Sequence, residues 1–562
     1  MSGPFWALIG QGAHDLRRGC TDAFAIMKSR GPSQLQFWFI ALAIGIAAGF
    51  AALFFRLGIN WLQGTLYGTD DTANLHSFVA DLAWYQILLL PICGGLLVGL
   101  ILHWFTDDGR VRSVSDVIEG AALNEGRVTV RQGIASAVAS LITLSTGGSS
   151  GREGPVVHLA AVLSTLVNRW LGANGITGRD LLGCAVAAGV SASFNAPLAG
   201  ALFALEVVLR HFAVHAFAPI VIASVAGTVI NRLAFGDVTE FVLPVQNALG
   251  FYVELPAFLI LGLVCGLVAV VLMRAIFWAE DMATGLQAAI GLPRYLRPMV
   301  AGAMLGGLAI FWPHIIGVGY ETTSAALTGQ LVLHEAIVFA MLKVVAVAIT
   351  IGGRMGGGVF SPSLMVGALT GLAFGMIATS ILPNVSGEGT IYALAGMGAV
   401  AAAVLGAPIS TTLIVFELTG DWQTAMAVMV SVSLSTALAS SLVDRSFFLT
   451  QLERRNVHLA AGPQAYLLAT FRVATIMRPM DAKRAAPEDA CWELIGEGVY
   501  IDGNATLEQA MPMFEQGNHG FIPVVSLGSD ESPPELWGAL FQVDALRNMN
   551  TALAETAREE HS

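Results

Sequence analysis

Long stretches of this chain are apolar whichever helical face is read. Phe37 to Phe55, Gln86 to Phe105, Phe258 to Met273, Pro298 to Trp312 and Ile337 to Ile351 each carry at most one charged residue. Water does not tolerate a helix that is apolar all round, and a bilayer crossing takes about 20 residues at about 1.5 Å each. These runs therefore predict membrane-spanning helices. The first begins after residue 35 and lacks a small-residue cleavage pattern at its end, so it predicts a spanning helix rather than a signal peptide. A second kind of run, Gly133 to Leu144, Leu181 to Phe194 and Leu394 to Leu405, is rich in Ala, Gly and Ser. Small side chains let helix backbones approach closely, which predicts elements packed inside the bundle, several of them tilted or crossing only partway.

The apolar pattern is interrupted in matched pairs. Gly151-Arg152-Glu153-Gly154-Pro155 and Gly358-Val359-Phe360-Ser361-Pro362 share a Gly-x-x-x-Pro frame, each followed at once by apolar sequence. Ala196-Pro197 is followed by Glu206 and Ala407-Pro408 by Glu417, in both cases nine residues after the proline. The chain thus reads as two related halves. Within a bilayer a broken helix is tolerated only where its freed backbone groups are buried in protein or line a polar cavity, and paired breaks in a duplicated membrane chain point to a site between the repeats.

Composition agrees, with 55% apolar and 12% charged residues and 62 glycines among 562. The formal charge of −12 argues against a nucleic-acid partner. Arg17, Arg18, Lys28 and Arg30 precede the first run, and Arg445, Arg454 and Arg455 follow the last, which places both termini in the cytoplasm. Cys20, Cys93, Cys184, Cys265 and Cys491 show no ligand spacing, so no metal and no cofactor is expected. From about residue 459 polar residues return. Val473-Ala-Thr-Ile, Val499-Tyr-Ile-Asp, Gly520-Phe-Ile-Pro-Val-Val and Leu536-Trp-Gly-Ala-Leu-Phe alternate with helix-like stretches in the manner of a small α+β domain. The organisation expected is a cytoplasmic segment over 1–34, a membrane domain over 35–458 and a cytoplasmic tail over 459–562.

Glu153 carries the sharpest chemistry. Pro155 suits the first turn of a helix, whose unpaired amides and positive dipole end attract an anion. A tethered carboxylate at that place competes with a free anion and lets go on protonation, which makes it a gate; the alternative is a surface-loop glutamate paired with Arg152. Val359 and Phe360 offer the equivalent amides from the other half. His158, one turn beyond Glu153, either assists a proton or bonds to a backbone carbonyl. Glu206 and Glu417 suit a structural role, at a subunit interface or as caps. Gly147-Gly-Ser149-Ser-Gly151 fits a hydrolase nucleophile pattern, but that pattern needs a preceding strand, which is not readable here.

Taken together, Gly151-Arg-Glu-Gly-Pro, Gly358-Val-Phe-Ser-Pro, Asn195-Ala-Pro-Leu-Ala-Gly with Glu206, and Gly406-Ala-Pro with Glu417 resemble the CLC family of chloride channels and chloride/proton antiporters. The resemblance implies an all-α polytopic membrane protein of two inverted repeats of broken and tilted helices. It implies a homodimer with one anion pathway per subunit and no enzymatic reaction. By the same resemblance Glu153 is the gate, and Ser113, Arg152, Gly154, Val359, Phe360 and Phe448 lie at the anion site. The tail, at about 473–555, resembles one CBS domain.

Departures from the family pattern matter too. The motif Gly-Ser-Gly-Ile-Pro falls on Arg112-Ser113-Val114-Ser115-Asp116, so only the serine remains, with Ser115 as the alternative donor. Asp116 is compatible with a nearby anion only if paired, Arg112 being the candidate. Phe448 stands where many members have a tyrosine and cannot donate a hydrogen bond. Val207 stands where many antiporters have a proton-accepting glutamate and cannot titrate. In the CBS-like tail Phe541 replaces a hydroxyl residue three places before Asp544, which counts against nucleotide sensing. The expectation is a voltage- or pH-gated chloride channel in a bacterial inner membrane, with antiport by another proton route as the alternative.

Overall fold

Most of the apolar runs fold as helices that outlast them. The structure is a computed structural model describing residues 33–69, 74–172, 175–212, 214–236, 241, 251–383, 389–457, 459, 471–482, 484–517, 519–526 and 535–560. Arg17, Arg18, Cys20, Lys28 and Arg30, with nearly all of the expected 1–34 segment, lie outside the described residues. The chain forms two compact units, one of residues 1–210 and 216–456, the other of 457–562 with 211–215.

The first half of the larger unit contains α1 (Gln34–Tyr67), α2 (Leu75–Ala80), α3 (Trp84–Phe105), α4 (Val114–Leu123), α5 (Val130–Ser145), α6 (Glu153–Leu171), α7 (Gly175–Phe194), α8 (Pro197–Phe203) and α9 (Val214–Phe235). The second contains α10 (Phe251–Ile290), α11 (Arg297–Phe311), α12 (Tyr320–Leu327), α13 (Leu333–Gly352), α14 (Phe360–Ile381), α15 (Gly389–Leu405), α16 (Pro408–Thr419), α17 (Trp422–Leu442) and α18 (Phe447–Glu453). Among the described residues, seven helices are long and apolar enough to cross a bilayer. The run Pro298 to Trp312 is an exception: α11 has 15 residues, about 22 Å at 1.5 Å each, against a hydrocarbon core of about 30 Å. Its glycines serve contact with α3 instead, since a Cβ at Gly302 would lie 2.0 Å from the Pro91 carbonyl oxygen. The small-residue run in α15 is buried from Ile391 to Leu405, as its composition predicts.

Helices α8 and α16 pack against each other and exchange caps. The Glu417 carboxylate accepts the Leu198 and Ala199 amides at 2.9 and 2.8 Å, at the start of α8. Glu206 accepts the Ile409 and Ser410 amides at 2.9 and 2.8 Å, at the start of α16, along with the Ser410 hydroxyl. Each glutamate lies near the end of one helix and satisfies the orphan donors beginning its repeat-mate, so of the two structural roles expected, interface or cap, both act as caps. A π-helical turn, Ala204–Leu209, extends α8 and carries Glu206.

The smaller unit holds α19 (Val473–Ile476), β1 (Arg478–Pro479), α20 (Glu488–Gly496), β2 (Ile501–Asp502), α21 (Leu507–Gly517), β3 (Phe521–Ser526), β4 (Glu535–Phe541) and α22 (Gln542–Glu560). Its sheet runs β1-β4-β3-β2, with β2 and β3 parallel and the other pairs antiparallel. Leu507, Ala510 and Phe514 fall at helical spacing on one face of α21 and join Ile522, Val524 and Leu540 in the core.

Candidate anion site

Two helices of the larger unit begin head to head. The Gly151 amide donates to the Gly358 carbonyl at 2.7 Å and the Gly358 amide returns the bond to Gly151 at 2.8 Å. This two-bond bridge joins the turn before α6 to the turn before α14. Hydroxyls from the neighbouring helices satisfy more of the irregular backbone: Ser140 and Thr143 accept the Gly357 and Gly356 amides at 3.1 and 2.9 Å, and Thr350 accepts that of Ser149 at 3.2 Å. Backbone polar groups at membrane depth need such partners. Gly357 has φ +117°, and a Cβ there would fall 2.0 Å from the Ser150 Oγ. Only glycine fits.

The first N–H groups of a helix have no intrahelical acceptor, so the two starts together make an electropositive pole without a formal charge. Ser113, Glu153, Gly154, Val359, Phe360 and Phe448 all line one cavity of about 30 Å³. That is room for a water-sized particle or a dehydrated halide. Glu153 is only 1% exposed. Its Oε1 accepts the Ser361 hydroxyl at 2.5 Å and the Tyr320 hydroxyl at 3.2 Å, while Oε2 is buried without a hydrogen-bond partner. A surface-loop pairing with Arg152 is thereby excluded. The carboxylate, attached at the start of α6, reaches the first turn of α14.

Ser113 is placed by a cap of its own. It precedes α4, its amide donates to Asp116 Oδ2 at 2.8 Å, and the His158 Nδ1 lies 3.2 Å from its carbonyl, which only accepts. His158 therefore takes the backbone-bonding role. Asp116 is paired with Arg112 at 3.3 Å, as its neighbourhood predicts, and more closely with Arg455 at 2.8 Å. Ser115 does not line the small cavity; its hydroxyl accepts a bond from Arg455 Nη2 at 2.6 Å. The carboxylate that seemed foreign to an anion site thus anchors the loop bearing Ser113.

Arg152 corrects the expected ligand set, since it is absent from the cavity wall. Its guanidinium donates to the Ser193 carbonyl at 3.4 Å and stands over the Tyr320 ring at 5.1 Å. A step of about 100° around the helix separates it from Glu153. Val207 is 5% exposed in the π-helical turn and lies outside the cavity wall. Ser149 follows a helix, not a strand, and its buried hydroxyl has no hydrogen-bond partner, so the hydrolase arrangement is not formed. Tyr320, the Ser361 hydroxyl and Arg455 were not legible as site groups; Ser361 alone had a signal, occupying in the second Gly-x-x-x-Pro frame the place Gly154 holds in the first.

A second cavity, of about 140 Å³, shares Ser113 and Gln451 with the first, and its wall also carries four arginines, Arg110, Arg112, Arg454 and Arg455, and two acidic residues, Glu280 and Asp281.

Comparison with known proteins places this arrangement. Residues 94–440 match the model of the voltage gated chloride channel family. A putative chloride channel protein ClcB-like from Ralstonia nicotianae is 33% identical over 396 residues, covering 70% of this chain and 91% of that protein. Among solved structures, a slow cyanobacterial Cl−/H+ antiporter superposes with a TM-score of 0.66 at 21% identity, covering 75% of this chain and 98% of that one. A eukaryotic CLC transporter gives 0.65 at 18% identity, covering 91% of this chain and 98% of that one. The chain is an integral membrane protein belonging to the CLC family of voltage-gated chloride channels and antiporters, a family of chloride transporters.

Proposed function

We propose that this protein is a gated chloride channel in which Glu153 is the gate. The reading rests on one observation above all: the Glu153 carboxylate reaches from α6 to the first turn of α14, inside a cavity bounded by Ser113, Val359 and Phe360. There it takes the place a chloride would take. When the carboxylate is protonated or withdrawn, the helix-start amides and the Ser113 hydroxyl receive the anion. The protein moves an ion and makes no covalent bond. It works as a homodimer with one pathway per subunit, both termini cytoplasmic, in a bacterial inner membrane.

The C-terminal unit is read as a single CBS-like module from its β-α-β-β-α order. Asp544, at the position such modules use for a nucleotide, is committed to Arg478 at 2.6 Å, and the guanidinium covers the Phe541 ring at 4.1 Å. These contacts favour a structural role over nucleotide sensing.

Coupled chloride/proton exchange is the second reading, favoured by the fold shared with a Cl−/H+ antiporter. Against it, the buried valine at 207 accepts no proton and Glu206 is engaged by the start of α16. Purified protein in liposomes with a chloride gradient and an internal pH-sensitive dye separates the two. The expected result is chloride flux without uphill proton movement, whereas reproducible proton pumping would establish the antiporter. Glu153→Gln, which mimics the protonated gate, is expected to raise chloride flux about tenfold or more and flatten its pH response, since charge-assisted bonds holding the carboxylate contribute roughly 1.5–3 kcal/mol. Unchanged flux and pH response would remove Glu153 from the gate.

A further inference from the structure

We infer that Gln451 is an anion ligand and selectivity-determining residue at the neck between the two cavities, supplying the side-chain hydrogen bond that Phe448 cannot. The inference rests on the chloride-transport reading above and extends it to a residue outside the family motifs. Gln451 and Ser113 are the two residues lining both cavities with a polar side chain, so a particle passing from one space to the other passes them.

On the α18 side, Phe447 and Phe448 bring no polar side-chain atom to the small cavity, and Gln451, three residues beyond Phe448, lies on the same helical face. Its Oε1 is buried without a hydrogen-bond partner. Leaving a buried polar group unsatisfied costs about 1–3 kcal/mol, so this carboxamide is not a fold-stabilising bond. A carboxamide is also a neutral donor: its NH2 end turns to an anion without bringing a counter-charge that must be displaced. Exchange of the amide's two ends needs only a rotation of its last torsion.

The backbone that carries this side chain is held by the network that fixes Ser113. Arg455 Nε donates to the Gln451 backbone carbonyl at 3.3 Å, Nη1 to Asp116 at 2.8 Å and Nη2 to the Ser115 hydroxyl at 2.6 Å. Asp116 in turn holds the Ser113 amide. One guanidinium therefore sets the last turn of α18 against the start of α4. An anion at the neck meets the Ser113 hydroxyl from one side and the Gln451 amide from the other, on backbone segments already held in place before it arrives.

The test uses full-length protein. Gln451→Met keeps the side-chain length and apolar stem while removing the donor. Chloride and bromide binding measured by calorimetry is expected to weaken about three- to tenfold, the loss of one hydrogen bond, and liposome flux should lose discrimination among chloride, bromide and nitrate. Adding Phe448→Tyr to Gln451→Met returns a donor to the same helical face and should restore much of both. Wild-type affinity and selectivity in Gln451→Met would overturn the inference, and so would a loss that Phe448→Tyr leaves uncorrected. If Gln451→Met does not yield monodisperse protein, bromide-soaked crystals of the wild type decide by anomalous scattering. Bromide within hydrogen-bonding reach of the Gln451 amide supports the ligand role, and occupancy confined to sites beyond that reach overturns it. A wild type that moves no chloride defeats the transport reading itself, whereas chloride flux unaffected by Gln451→Met defeats only the assignment of Gln451.

Discussion

The starts of α6 and α14 are built on one frame and do different work. Where the two agree, they bind each other: Gly151 and Gly358 exchange backbone bonds, and farther along the repeats Glu206 and Glu417 exchange helix caps. Where they differ, they shape the site: Glu153, Gly154, Val359 and Phe360 line the cavity. Counting from each glycine, Glu153 corresponds to Phe360 and Gly154 to Ser361, so one half contributes an acid and the other contributes the hydroxyl that holds it. Symmetric positions form the scaffold. Asymmetric positions carry the chemistry.

The surest way to break the comparison is at its meeting point. Gly357→Ala places a methyl 2.0 Å from the Ser150 Oγ in a backbone with φ +117°, strain that the turn cannot share with flexible neighbours. Loss of folded, monodisperse protein is expected on size-exclusion chromatography. A variant that elutes and melts like the wild type would mean that the two helix starts are not in close contact.

A smaller effect sharpens the symmetric side. Glu206→Gln and Glu417→Gln each put an amide nitrogen against a backbone amide and remove a charge from a helix start. A cap of this charge-assisted kind is lost at roughly 1.5–3 kcal/mol, and because the caps are reciprocal the two variants should fall in melting temperature by similar amounts. Glu206→Gln should also leave chloride flux as it was. If Glu206→Gln alone altered transport while stability held, Glu206 would be working on ions and not as a cap.

The sequence exposes what repeats and hides what does not. Glu153, Val359, Phe360 and the two capping glutamates stand in paired frames, and nine residues after a helix-starting proline is about two and a half turns, so antiparallel packing brings each glutamate to the other's beginning. Asp116 looked like an intruder because its strongest partner, Arg455, lies 339 residues away. Tyr320 reaches Glu153 from the start of a short helix with no recognisable motif. Arg152 looked like a ligand because it stands in the same Gly-x-x-x-Pro motif as Glu153, and the helical turn takes it off the cavity wall. The run at Pro298 to Trp312 looked like a full span because a glycine face pressed on another helix is as apolar as one facing lipid.

The smallest expected effect addresses the asymmetry itself. Ser361→Ala deletes the closer of the two hydroxyls on Glu153 Oε1 and leaves Tyr320 at 3.2 Å. One of the two charge-assisted bonds to the gate is lost while the other stays, so chloride flux in liposomes should rise by less than in Glu153→Gln. The double variant is the stricter measurement. If Ser361 acts through the carboxylate, Ser361→Ala adds little once Glu153→Gln has already released the gate, and the two effects fail to sum. If they sum, the Ser361 hydroxyl is contacting the anion directly. The second helix start would then supply an anion ligand rather than a latch for the first, and the division of labour between the halves would have to be redrawn.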